Sequence, residues 1–212
     1  QMCIRDRNYC FFMEAFLLKL GQWFFRYRDY TPIPIILLLF IIAEFNPVYF
    51  FTGISLTVIG ELIRIIAVAY IGGISRTRKG TVDNLVTSGP FSRLRNPLYA
   101  GNFLLSLGLS CLSGVWWFLI LYLFLFWIQY IPIVAWEEAL LEKKFGEEYL
   151  NYKKAVPRFF PKLGKAGVSQ GEYNFKKALK SERSTLSTVI IIYFIICTKF
   201  FFWNQLTEWV RQ

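Results

Sequence analysis

A chain of 212 residues that is 55% hydrophobic and 19% aromatic, with a formal charge of +10, is more apolar than a soluble domain, which runs roughly 45–50% apolar. It has no histidine, which excludes a Ser-His-Asp triad, a Cys-His nucleophile pair and any histidine-ligated metal. Its basic residues flank apolar runs instead of forming one patch, so they read as membrane-topology charges and not as a nucleic-acid footprint.

In chain order, Gln1–Arg7 (QMCIRDR) reads as a non-native stretch, and residues 1–8 are set apart from fold reasoning. Residues 9–30 are aromatic and apolar but interrupted by Glu14, Lys19 and Gln22, the pattern of an interfacial helix. The membrane core spans 31–163. Within it, an apolar run from Ile33 to Phe45 ends at the turn signal Asn46-Pro47, and a second goes from Val48 to Ile71, ending at Gly72-Gly73. After a polar stretch, Tyr99 to Leu112 is apolar but short, and Ser113-Gly114 marks a turn. Val115 to Ala135 is the clearest span, with Trp116, Trp117, Trp127 and Tyr130 toward its ends, where interfacial aromatics settle. A basic linker at 164–185, with Lys176, Lys177, Lys180 and Arg183, is suited to anionic lipid. Residues 186–212 hold an additional C-terminal membrane helix, with its apolar run at Leu186–Trp203 and no catalytic role.

Because about 20 apolar helical residues cross a bilayer core, the expected fold is an all-α integral membrane protein with about five transmembrane helices. The loop carrying Arg76, Arg78, Lys79, Arg93 and Arg95 and the lysine-rich region after Glu137 fall on one side. Short basic loops stay cytoplasmic, which puts the polar chemistry on the cytoplasmic face, with a bacterial inner membrane as the expected location. Cys3, Cys10, Cys111 and Cys197 form no CxxC and read as inert thiols, with no metal site expected.

Two polar constellations stand out. In LVTSGPFSRLRNPLYAG, from Leu85 to Gly101, Gly89-Pro90 is a turn, and Asn96-Pro97 is a helix start with Asn96 as N-cap. A carboxylate can dock at such a helix N-terminus, beside Arg95. The alternative is a capped membrane helix with Arg95 as a topology charge. The second constellation is Glu137-Glu138, where the long span meets water. These carboxylates point about 100° apart on a helix, so one is expected to face inward. The alternative is a solvated amphipathic helix. Glu61 and Arg64 lie one turn apart inside a span and read either as an internal ion pair or as a polar floor under a substrate head group.

Together, Gly89, Phe91, Arg95, Pro97, Tyr99 and Gly101, then Glu137 and Glu138, then Phe145, Gly146, Tyr149, Tyr152, Val156, Pro157 and Pro161 resemble the motif set of the isoprenylcysteine carboxyl methyltransferase and phospholipid methyltransferase family of membrane enzymes. The resemblance covers roughly residues 70–163. It implies an S-adenosylmethionine-dependent methyltransferase with a cytoplasmic-face cofactor pocket. Carried over, Leu85, Val86, Gly89, Phe91, Arg95, Asn96, Pro97, Tyr99, Glu137 and Glu138 would bind the cofactor, and Arg95, Asn96, Tyr99 and Glu137 would serve catalysis. The family histidine before Pro97 is Asn96 here, and one carried by some members before Leu85-Val86 is Asp83.

Methyl transfer from a sulfonium needs position and electrostatics more than a proton shuttle. A carboxylate acceptor is already ionised at neutral pH, which fits a chain without histidine. The missing histidine favours a pre-ionised or weakly basic acceptor without identifying it; the resemblance implies a lipid or prenylated small molecule, with carboxyl O-methylation the first expectation. Phospholipid amine N-methylation and a non-catalytic membrane scaffold are the alternatives. Oligomeric state is not legible in the sequence.

Overall fold

The computed structural model describes residues 2–71, 84–162 and 173–211, with side chains over 13–71, 84–162 and 173–202. Asp83, Arg76, Arg78, Lys79 and the segment 164–171 lie outside the described residues. Among the described residues the chain forms α1 (Met2–Tyr27), α2 (Ile33–Ile42), α3 (Pro47–Tyr70), a 3-10 turn (Gly89–Ser92), α4 (Pro97–Cys111), α5 (Trp116–Phe145), α6 (Glu147–Ala155) and α7 (Phe175–Arg211), with no strand. This is an all-α membrane protein.

Three helices are long and apolar enough to cross a bilayer: α3, α5 and the Phe175–Phe202 part of α7. The expected five crossings thus resolve into three full-length helices and two short ones. At 1.5 Å per residue, the 10 residues of α2 reach about 15 Å and the 15 of α4 about 22 Å, short of the roughly 30 Å core. Asn46 stops the chain after α2 by capping α3. Its Oδ1 accepts from the N–H groups of Val48 (3.1 Å) and Tyr49 (3.3 Å). The α2–α3 and α4–α5 turns meet at one end, where Glu44 N–H donates to Ser113 O at 3.0 Å.

α3 and α4 form the tightest pair. A Cβ on Gly60 would fall 2.4 Å from Leu105 N, and one on Gly108 would fall 2.5 Å from Gly53 O. Only glycine admits backbones this close, as at other intramembrane helix contacts. α7 packs along α3. Ala178 is fully buried with Ile65, Val68 and Ala69, and the Thr57 and Tyr193 hydroxyls share a 2.9 Å hydrogen bond. Near its far end, Lys199 Nζ donates to the carbonyls of Phe40, Ile41 and Ala43 at 2.8–3.0 Å, satisfying the C-terminus of α2. α7 starts eleven residues before the expected span. Its first turns turn Lys176, Lys177 and Lys180 outward and bury Ala178 and Glu182, so residues 175–185 form a helix face against α3 where a linker was expected.

Candidate active site

The two polar constellations meet at the end of the molecule opposite the α2–α3 and α4–α5 turns. Main-chain bonds tie them together: Arg95 N–H donates to Pro157 O and Lys162 N–H to Arg93 O, each at 2.9 Å. Tyr152 O–H donates to Phe91 O at 2.6 Å. Gly89 opens the 3-10 turn at φ +58°, and a Cβ there would lie 2.4 Å from the Tyr70 ring, so position 89 requires glycine for both backbone and space.

Glu138, only 3% exposed, is the hub. Its Oε2 accepts from Arg158 Nε (3.0 Å) and Nη2 (2.6 Å), and its Oε1 accepts from Asn96 Nδ2 (3.2 Å) and faces Arg95 Nη2 at 3.3 Å. Arg95 also donates from Nη1 to Lys153 O at 3.2 Å. Its Nε is buried with no hydrogen-bond partner among the described residues. Asn96 corrects an expectation. It sits at the N-cap position of α4, but its side chain makes no capping bond there. Capping uses the amide oxygen, whereas here the amide nitrogen is engaged by Glu138 and by Arg158 O (3.3 Å). The buried carboxylate holds the side chain off the helix end.

A small cleft of about 90 Å³ opens beside this hub. Leu85, Val86 and Phe91 give it an apolar wall, and Arg95 and Asn96 a polar one. Ile71, Leu141, Tyr149 and Tyr152 complete it. Burial pushes the phenols of Tyr149 and Tyr152 up, so both remain protonated donors at neutral pH.

Glu137 turns the other way and lies close to the Tyr99 phenol. The Tyr99 ring lies 5.2 Å from that of Tyr130. Tyr130 in turn lines a second cavity, about 100 Å³ and mainly apolar, between α2, α4 and α5. Tyr99 therefore links the cleft, one helical turn away at Asn96, to the Tyr130 wall of the apolar cavity. The Tyr130 hydroxyl accepts from Asn102 Nδ2 at 3.3 Å, and Asn102 Oδ1 accepts from Arg64 Nη1. Arg64 Nη2 meets the fully buried Glu182 at 2.6 Å, and its Nε lies 3.4 Å from Glu61.

Of the residues singled out in the sequence, Leu85, Val86, Phe91, Arg95 and Asn96 line the cleft. Pro97, Tyr99, Glu137 and Glu138 adjoin it without lining it, and Gly89 shapes the turn beneath it. Glu61 and Arg64 join an intramembrane ion cluster. Sequence reasoning missed Arg158, Tyr130, Asn102 and Glu182 as members of these networks. Arg158 lay inside the matched tail, between Pro157 and Pro161, and was the one carrying a visible signal. Glu182 looked like part of a charged linker.

Residues 48–148 match the family model described as phospholipid methyltransferase. Mouse protein-S-isoprenylcysteine O-methyltransferase is 34% identical over 119 residues, covering 52% of this chain and 40% of that protein. The nickel-cobalt-cadmium resistance protein of Alcaligenes xylosoxydans xylosoxydans is 32% identical over 111 residues (52% and 47%). Protein-S-isoprenylcysteine O-methyltransferase of Schizosaccharomyces pombe is 28% identical over 149 residues (68% and 61%). The match thus spans about half the length of these relatives. No solved structure matches the chain. The resemblance carried by the motif residues is borne out as a similarity over part of the chain: residues 48–148 are similar to phospholipid methyltransferases, and about half of the chain to isoprenylcysteine O-methyltransferases.

Proposed function

We propose, for a chain related to these methyltransferases over residues 48–148, that it transfers a methyl group from S-adenosylmethionine to a lipophilic acceptor at the cytoplasmic face of a bacterial inner membrane. The observation that carries this reading is the pairing of cavities. A mixed polar and apolar cleft and an apolar intramembrane cavity are linked through Tyr99, one turn along α4 from Asn96 of the cleft and 5.2 Å from the Tyr130 ring of the cavity.

The residues of the cleft fit the cofactor. Arg95 Nε is a buried donor without a partner among the described residues, suited to an amino-acid carboxylate. Leu85, Val86 and Phe91 offer apolar surface to a nucleoside, and Tyr149 offers a phenolic donor. When bound, S-adenosylmethionine supplies a methyl already activated on a sulfonium. The chain's own work is then to bind, orient and exclude water. Glu138 fixes the positions of Arg95 and Asn96. Glu137 and Tyr99 face the point where cofactor and acceptor approach. The apolar cavity takes the acceptor's chain. Arg93, Lys143, Lys144 and Lys154 at this end support the cytoplasmic orientation.

The first acceptor is an isoprenoid or lipid carboxylate, because no histidine is present to deprotonate an amine or thiol. The test is label transfer from methyl-labelled S-adenosylmethionine to a total lipid extract by the purified protein in nanodiscs. A base-labile labelled lipid is expected. A base-stable product would establish N-methylation of a phospholipid amine, and no labelled lipid from folded protein would favour a non-catalytic scaffold.

A further inference from the structure

α7 lies outside residues 48–148 and stands behind the apolar cavity. Its buried positions Ala178, Glu182, Ile192 and Ile196 form one stripe at helical spacing, while Ile190, Ile191 and Phe194 face outward. Ile192 and Ile196 share a buried cluster with Leu39 of α2 and Phe118 of α5. Leu39 and Phe118 are themselves walls of the cavity, so they stand with one side to the cavity and the other in the cluster that α7 completes. Lipid is as apolar as these side chains, and a helix in a bilayer is held to its neighbours by packing and polar bonds. α7 has polar bonds at three points along its length. Glu182 meets Arg64 at 2.6 Å, the Tyr193 hydroxyl shares its 2.9 Å bond with Thr57, and Lys199 Nζ holds the carbonyls of Phe40, Ile41 and Ala43 at 2.8–3.0 Å. Ile192 and Ile196 lie between the first and last of these, and the last grips the same segment that carries Leu39. The Arg64 anchor also reaches the cavity's other side, through Asn102 to the Tyr130 hydroxyl.

We propose that α7 backs the far end of this cavity, and that Ile192 and Ile196 set the length of the lipid chain the cavity takes. The inference rests on the methyl-transfer reading, in which the acceptor's chain occupies the cavity, and adds what limits that chain. The cavity runs from Pro32 and Tyr130, on the side of the cleft, to Leu39 and Phe118, toward the turns at Glu44 and Ser113. A chain entering from the Tyr130 side ends against Leu39 and Phe118. How far these two side chains can retreat depends on what stands behind them. Isoleucine is branched at Cβ and restricted at χ1, so Ile192 and Ile196 make a stiff backing. At the packing density of a protein interior, a change of one methylene is felt by the neighbours. Among the described residues, none of those lining the cavity comes from α7. Ile192 and Ile196 are therefore positioning residues that act through Leu39 and Phe118.

The test places the whole protein in phosphatidylcholine nanodiscs and photolabels it with dodecanol carrying a diazirine, the label being mapped by mass spectrometry to the cavity walls Tyr122 and Leu125. Unlabelled straight-chain alkanols from octanol to eicosanol compete, and competition should rise with length to a cut-off. Ile192→Ala and Ile196→Ala should each move the cut-off to longer chains by about two carbons, since the void left by a truncated side chain is only partly refilled by its neighbours. Ile196→Phe should move it to shorter chains by overfilling the same place. Ile190→Ala, on the outward face of the same helix, should leave it where it is. A loosened fold cannot move the cut-off in both directions. Ile196→Val carries the test where a larger change does not fold, with a smaller shift toward longer chains. A cut-off unmoved in variants that still melt cooperatively, or moved as far by Ile190→Ala, would overturn the assignment, as would a wild type unlabelled at Tyr122 and Leu125. The labelling needs no cofactor. A protein that binds S-adenosylmethionine while its cut-off ignores Ile192 and Ile196 refutes this inference alone. One whose cut-off follows them but that never binds S-adenosylmethionine refutes the transfer reading instead.

Discussion

The same dipeptide starts α3 and α4 with different consequences. Asn46 caps α3 through its amide oxygen, so Asn46→Ala should lower stability by about 1 kcal/mol. Asn96 at the head of α4 gives its amide to Glu138 and Arg158 O, and its alanine variant should disturb the cleft wall more than the helix. Sharper still is Glu138→Gln. It leaves Arg95 and Arg158 facing a neutral group at a buried site, and breaking a buried ion pair typically costs about 3–5 kcal/mol. Thermal unfolding in detergent should show a melting temperature well below wild type; an unchanged value would remove Glu138 as the hub. The sequence announced that one of the two glutamates would face inward, from their angular separation on a helix. Which one did so was not legible, because the deciding partner, Arg158, is brought back by the tail's return and by the Arg95–Pro157 main-chain bond.

Among the elements, the apolar runs were readable because hydrophobic clustering survives without tertiary knowledge, whereas helix ends were not. α2 is cut at Ile42 by the approach to the Asn46 cap, and α7 is lengthened at its start by burial of Ala178 and Glu182 on α3. The lysine-rich composition of 175–185 hid that face, since the two buried positions lie four apart among exposed charges. Two predictions belong here. Gly60→Leu should drive α3 from α4, because even a Cβ would sit 2.4 Å from Leu105 N; poor yield of folded protein and a lowered melting temperature are expected, and wild-type stability would contradict the close packing. Glu182→Gln should weaken the hold of α7 on Arg64, read as faster proteolysis of the C-terminal helix in detergent, while the Glu138 hub stays intact. If digestion is unaltered, the Arg64–Glu182 pair does not secure α7.

Across the whole molecule, one polar end gathers Arg95, Glu137 and Glu138 from segments some forty residues apart in sequence, while the opposite end is closed by the turns at Glu44 and Ser113. The motif order in the sequence foretold that meeting. The second cavity was not foretold, because it is formed by α2, α4 and α5 together and no single segment encodes it. With a carboxylate acceptor, ionised well below neutrality, the transfer rate should be flat from about pH 6 to 8; an amine acceptor would give a rate rising with pH across that window. The most direct measurement is calorimetric titration of the purified, folded protein with S-adenosylmethionine, alongside Arg95→Ala. Saturable one-to-one binding by the wild type is expected, weakened about tenfold or more in the variant through loss of a charge-assisted hydrogen bond. No heat of binding from a wild type that still melts cooperatively, or equal affinity in the two proteins, would contradict it.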